Sequence, residues 1–140
     1  MAAVVSHASQ TNRIWREGSK LPQISRKRKK KPPLGTTFSF SLNEQASVTF
    51  SFSQRVSGRR VDRRCVAKTR RNRKRKACTR TATAGTLSFD GHSGSNKVVF
   101  QGRISGSQRL TPGAYTLVIT ATNTAGQSSA SQKLIFTIVR

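Results

Sequence analysis

Residues 110–131, LTPGAYTLVITATNTAGQSSAS, decide the fold class, because they read as one strand entered and left through encoded turns. Pro112 fixes its own φ and Gly113 tolerates a positive one, so Thr111 to Ala114 is predicted to turn tightly before Tyr115 opens the strand. From there the pattern has period two. Tyr115, Leu117, Ile119 and Ala121 share one face, while Thr116, Thr120 and Thr122 share the other, where Val118 is the only apolar residue. One face is core and the other mostly wet. Asn123 to Gly126 supplies residues that leave a strand easily, and Gln132 to Val139 resumes an apolar run through Leu134, Ile135, Phe136 and Ile138. The pattern predicts two adjacent antiparallel strands.

Upstream the same alternation recurs. Phe38, Phe40 and Leu42 alternate with Thr37, Ser39 and Ser41, and after a turn at Asn43 to Gln45 a second strand sets Val48, Phe50 and Phe52 against Thr49, Ser51 and Ser53. Further strands are expected near Thr79 to Ala84, Gly85 to Phe89 and Val98 to Ile104, with Asp90 and Gly91 as a hairpin-type dipeptide. No segment has helical periodicity. About seven short strands in 140 residues make two packed antiparallel sheets the economical architecture, an all-β chain with one core. Phe38, Phe40, Val48, Phe50, Phe52, Phe100, Tyr115, Leu117, Ile119, Phe136 and Ile138 are the expected core. The domain itself is expected over 36–140, with a basic loop at 55–80; residues 1–35 read as an N-terminal arm and basic linker. Within that arm, 12–16 can form an edge strand anchored by Ile14 and Trp15.

The formal net charge is +23, and its placement matters more than its size. Nineteen of the 27 Lys and Arg fall in two tracts: the consecutive bases Arg26 to Lys31, and thirteen between Arg55 and Arg80 against the single acid Asp62. Pro32 and Pro33 follow the first tract, which therefore reads as a stiff, self-repelling linker, although it also has the form of a nuclear-localisation or heparin-type patch. No Phe, Tyr or Trp lies between Phe52 and Phe89. A chain devoted to nucleic acid more often spreads its bases along one face and interleaves stacking aromatics. Here the tracts look like loops that carry charge. Arg59, Arg60, Arg63, Arg64, Arg70, Arg71, Arg73, Lys74, Arg75 and Lys76 are the candidate contacts for a polyanion.

L-T-P-G-A-Y, followed by Ala121, Asn123, Gly126 and Ser128, resembles the F and G strands of fibronectin type III and related bacterial immunoglobulin-like domains over about twenty residues. In the usual type III pattern one more residue separates the Gly from the Tyr, so the tyrosine corner of those domains is not carried over with the resemblance. A longer likeness runs from Asn12 to Val139. N-R-I-W, G-T-T-F-S-F-S-L, the cysteine pair in a basic loop, F-Q-G-R-I and L-T-P-G-A-Y are similar to modules at the C-terminal ends of secreted actinobacterial proteins. The resemblance implies an immunoglobulin-like or fibronectin type III-like sandwich, appended to other domains and without catalysis.

Cys65 and Cys78 stand at the two ends of the most basic stretch. Their even number, the twelve residues between them and the resemblance to secreted modules favour a disulfide. Two free thiols are the alternative, as in a reducing compartment. Metal binding has weak support: two thiols are half a zinc site, and neither His7 nor His92 has the spacing of the missing pair.

Catalysis finds little support either. Glu17, Glu44, Asp62 and Asp90 are far apart in sequence and indicate no carboxylate pair. DGHSGS at 90–95 lacks the G-x-S-x-G spacing of a nucleophile elbow, so His92 reads as a solvated turn residue. No cofactor is expected. No apolar run approaches the roughly 18 residues of a membrane span, and MAAVVSHASQ has neither the basic region nor the apolar stretch of a signal peptide. Export is thus expected to be encoded elsewhere, if the chain is the detached end of a longer exported protein or its start is misplaced; otherwise it is cytosolic. Two classes follow. The favoured one is an extracellular or cell-surface accessory module, a spacer, stabiliser or adhesive unit whose partners are neighbouring domains and anionic envelope polymers. The alternative is a basic nucleic-acid-binding protein.

Overall fold

In the computed structural model, residues 3–18, 22–24 and 34–139 are described, so the tract Arg26 to Lys31 and the prolines after it lie outside the described residues. Ten strands and no helix make up the described chain: β1 (Val5–Gln10), β2 (Ile14–Arg16), β3 (Gln23–Ile24), β4 (Thr36–Leu42), β5 (Ala46–Val61), β6 (Arg64–Val66), β7 (Ala77–Gly91), β8 (Gly94–Phe100), β9 (Gly113–Thr122) and β10 (Gln132–Val139). One sheet has the order β1-β4-β8-β3, the other β2-β10-β9-β5-β6, with β7 on the remaining side of β5. The two pack face to face as a β-sandwich.

The alternation in β4, β5 and β9 explains why. Phe38, Phe40, Val98 and Phe100 from the first sheet meet Val48, Phe50, Phe52, Tyr115, Leu117, Ile119, Phe136 and Ile138 from the second, all buried. Every side chain of the expected core is in that set. Rings do most of the filling: Phe52 stacks on Phe100 at 4.8 Å, and Phe38 meets Phe50 edge-on at 5.8 Å. The outer face of the second sheet carries the hydroxyls that alternate with these residues, half-buried or exposed.

β9 is paired antiparallel with β10 from Gln132↔Ile119 to Ile138↔Gly113. The tight turn expected over 111–114 is instead a bend at Pro112, since Gly113 and Ala114 are already paired in β9; a bond that the spacing left open forms there, because the Tyr115 hydroxyl donates to the Thr111 carbonyl at 2.6 Å. This is a phenol tied back to the backbone a few residues upstream, as in a tyrosine corner. The exit turn is held by Asn123, whose Oδ1 accepts from the amides of Ala125 and Gln127, both at 3.0 Å.

Several elements differ from the sequence pattern. Residues 3–18 are built into the sandwich: β1 pairs antiparallel with β4, and β2 lies parallel to β10. Trp15 is 1% exposed and stacks on Phe136 at 5.4 Å, whereas Ile14 is 62% exposed and anchors nothing, since adjacent residues of a strand face opposite ways. Thr79 to Ala84 and Gly85 to Phe89 form one continuous strand that absorbs an extra residue at Ala84, where the ladder steps from Phe52↔Gly85 to Ser53↔Thr83. Asp90 and Gly91 do not close a hairpin. They end β7 in one sheet, and the chain crosses to β8 in the other. Gly91 is closely packed at that crossing: a Cβ there would lie 2.6 Å from Leu42 Cδ1 and 2.9 Å from Val48 Cγ2, so a larger residue would have to displace those side chains.

Candidate polyanion-binding arm

β5 is 16 residues long, but only its first half belongs to the sandwich. Its pairing with β9 stops at Ser53↔Thr116, and Phe52 is its last core side chain. From Gln54 to Val61 it continues with β7 alone on one side and, at the tip, β6 on the other. Eight residues at about 3.3 Å each make an arm roughly 26 Å long. The expected basic loop at 55–80 is therefore mostly strand. Its bases hid the pattern: without a core to face, these strands have no apolar alternation to read.

The tip is a two-residue hairpin, Val61 to Arg64, in which Asp62 and Arg63 both adopt positive φ, 50° and 66°. That is the backbone of a type I′ turn, suited to the twist of the strands it joins. After β6 the chain passes through residues 67–76 to the opposite side of β5 and begins β7. Cys65 lies opposite Arg60 and Cys78 opposite Gly58, so both thiols share one face of the arm, two residues apart along β5. They form a disulfide with Cα atoms 5.9 Å apart. The bond bridges β6 and β7 across β5, and Gly58 is what leaves room for it. A Cβ at Gly58 would lie 2.4 Å from the Val66 carbonyl oxygen and 3.1 Å from the Cys65 sulfur. Gly58→Ala should therefore displace β6, costing about 1–3 kcal/mol of arm stability, the usual range for overpacking. Faster amide exchange over 54–66 and more free thiol after oxidative refolding are the expected readings.

The loop has a defined shape despite its charge. Asn72, buried at 7% exposure, accepts from the Thr69 amide at 2.7 Å and donates to the Ala67 carbonyl at 3.0 Å; its own carbonyl accepts from the Arg75 amide at 2.8 Å. Two ties fasten the loop to β5. The Arg60 amide donates to the Lys76 carbonyl at 2.9 Å, and Arg59 Nε donates to the Arg73 carbonyl at 3.2 Å.

The ten candidate contacts are thus brought together on one projecting element, with unequal roles. Arg70, Arg71, Arg73, Lys74, Arg75 and Lys76 are exposed on the loop, and Arg60, Arg63 and Arg64 are exposed on the strands and turn beneath it. Arg59 is different. It is half-buried, and its guanidinium donates to the carbonyls of Gly58 and Arg73, so it acts as a brace. Lys68 on the loop and Arg55 on β5 are exposed too, which makes them further candidates that the sequence pattern did not single out. Gly58 and Asn72 were also missed. The one available hint was that each is small or turn-forming inside a run of bases.

No protein-family model matches the chain, and no curated protein shows a significant match to it. The geometry of the arm must carry the functional reading. Elsewhere, no group of three or more His, Cys, Asp or Glu is placed to hold a metal ion among the described residues. His92 is exposed in the turn between β7 and β8, where its amide donates to Asn96 Oδ1 at 3.0 Å. A shallow depression lined by Arg16, Glu17, Leu34, Pro112 and Val139 lies at the end of the sandwich from which the arm departs. No helix among the described residues is long and apolar enough to cross a membrane.

Proposed function

We propose that this chain is a non-catalytic, immunoglobulin-like accessory module of a secreted or cell-surface protein, and that its arm holds anionic envelope polymers. The observation that carries the reading is the arm itself: a covalently closed, hydrogen-bonded support that presents exposed bases away from the core. A floppy basic loop would lose conformational entropy on binding; one already held in shape loses less. Ten of the thirteen bases from 55 to 80 are Arg, whose planar fork suits phosphate, sulfate and carboxylate groups. Aromatic side chains are missing from the arm, so it offers no platform for bases to stack on. The disulfide fits an oxidising compartment, and the sandwich with its Tyr115–Thr111 bond fits the immunoglobulin-like resemblance.

The test is a salt-titrated competition among DNA, RNA and a heparin-like polymer, repeated after Arg70, Arg71, Arg73, Lys74, Arg75 and Lys76 are changed to Ser. Counterion release ignores sequence, so the three polymers should bind similarly and weaken together as salt rises. Six to ten charge contacts imply a loss of roughly 10³–10⁵ in affinity between 50 and 200 mM salt, and removing six should flatten that slope. A preference for one nucleic acid that survives physiological salt, and disappears in the substituted protein, would overturn the reading in favour of a dedicated nucleic-acid-binding protein.

A further inference from the structure

Among the described residues the two sheets have five outer strands, and four of them are blunted. β3 is two residues long, and β2 and β6 are three each; β1 is six, with its register broken between Ser6 and Ser9 and His7 at a φ of 53°. Short or irregular outer strands are how sheets avoid pairing with other chains. β7 is fifteen residues long and pairs with β5 alone. Part of its free edge is covered at the base of the arm, where Gln108 Nε2 donates to the Ala84 carbonyl at 3.0 Å and Ile104 packs over Gly85. From Ala77 to Thr83, no segment other than β5 pairs with the backbone among the described residues.

Those seven residues suit a docked strand of ordinary length. They contain no proline, and three are β-favouring threonines, Thr79, Thr81 and Thr83, all exposed on one face. On the other face Arg80 is half-buried, and its Nε is buried without a hydrogen-bond partner among the described residues. The charged side chains of the surrounding arm are all bases except Asp62. A second copy of this chain, itself at +23, is repelled from such an edge, and an acidic strand is attracted.

We infer that the outer edge of β7 from Ala77 to Thr83 receives an extended acidic segment of another protein by strand addition. Main-chain hydrogen bonds supply the affinity, and carboxylates at alternate positions select for the face that carries Arg80. The site uses the backbone edge of the arm, so it stands whether or not the loop holds a polymer.

The test uses the intact, oxidised protein and two labelled nine-residue peptides of equal charge, one alternating Glu with Thr (the Glu–Thr peptide) and one of the same sequence with every backbone amide N-methylated. N-methylation removes the amide donors but keeps the carboxylates. The Glu–Thr peptide is expected to bind at least tenfold more tightly and to slow amide exchange within 77–83, which a heparin fragment of similar charge does not. Arg80→Gln should weaken that peptide severalfold while leaving the heparin fragment nearly unaffected. Equal binding of the two peptides, exchange in 77–83 unchanged on saturation, or binding of neither would each overturn the inference.

Discussion

Truncating Phe50 to alanine is expected to cost about 3–5 kcal/mol, the range for a fully buried phenylalanine. Phe50 has no solvent exposure and lies at the centre of the aromatic core. Its ring meets Phe38 at 5.8 Å, Phe40 at 5.7 Å and Phe89 at 5.2 Å, all edge-on. The first two come from the opposite sheet and the third from β7, so one side chain joins three strands. β5 is paired on both sides at this point, to Ile119 of β9 and Leu87 of β7, and cannot shift to fill the cavity. Domains of this size are stable by about 5–15 kcal/mol, so the variant should be partly unfolded or close to it. Urea unfolding monitored by Trp15 fluorescence would show the midpoint falling sharply. A loss below about 1 kcal/mol would mean that the sheets do not pack through this ring.

The second large effect belongs to the disulfide, and it is expected to be local. Replacing Cys65 and Cys78 by serine removes a cross-link whose loop-closure contribution is about 3 kcal/mol. No residue of the arm from Gln54 to Thr83 belongs to the core cluster, so that loss falls on a segment with little else to hold it. Like-charge repulsion within the loop then favours opening. Amide exchange over 55–83 should accelerate on the order of a hundredfold, with residues near Phe50 and Ile119 changing far less. Binding to a heparin-like polymer should weaken as well, because the bases would no longer be held in place before contact. If the core amides accelerate equally, the arm and sandwich unfold as one unit. If nothing accelerates, the ladder and the Asn72 bonds suffice without the cross-link.

These two effects mark where the sequence was readable. Phe50 is legible because a strand with one buried face must alternate, and the alternation through Phe38, Phe40, Val48, Phe50 and Phe52 can be read without knowing which strand pairs with which. The same holds for Tyr115 to Ala121. The turn at Asn123–Gly126 was legible because its side-chain hydrogen bonds are local, as was the positive φ of Gly113, although Gly113 and Ala114 belong to β9 and the expected tight turn over 111–114 is only a bend at Pro112. The cysteine pairing was favoured by the even count, the twelve intervening residues and the resemblance to secreted modules, and the disulfide is present.

The β7 side of the arm was legible at Thr79 to Ala84, but its β5 and β6 sides were not, since the inner positions after Phe52 are Gln54, Val56, Gly58 and Arg60, and none of them joins the hydrophobic core that enforces an apolar pattern. The arm's form depends on ladder hydrogen bonds between segments far apart in sequence, on the turn at Asp62–Arg63 and on the room that Gly58 leaves. The N-terminal segment was legible only in part: an edge strand at 12–16 with Trp15 was expected and β2 lies there, but β1 was not expected. VSHASQ at 5–10 buries little, and its place beside β4 is set by register with Ser39, Ser41 and Leu42. Asp90–Gly91 is compatible with a hairpin on its own terms, yet the next strand joins the other sheet. By itself, then, the sequence determined what is local: the alternating core faces, the turns and the two charged tracts. Only the tertiary structure decided which sheet each strand joins, that thirteen bases share one projecting arm, and that β7 keeps a free edge, because strand pairing is a contest among distant partners that no local pattern records.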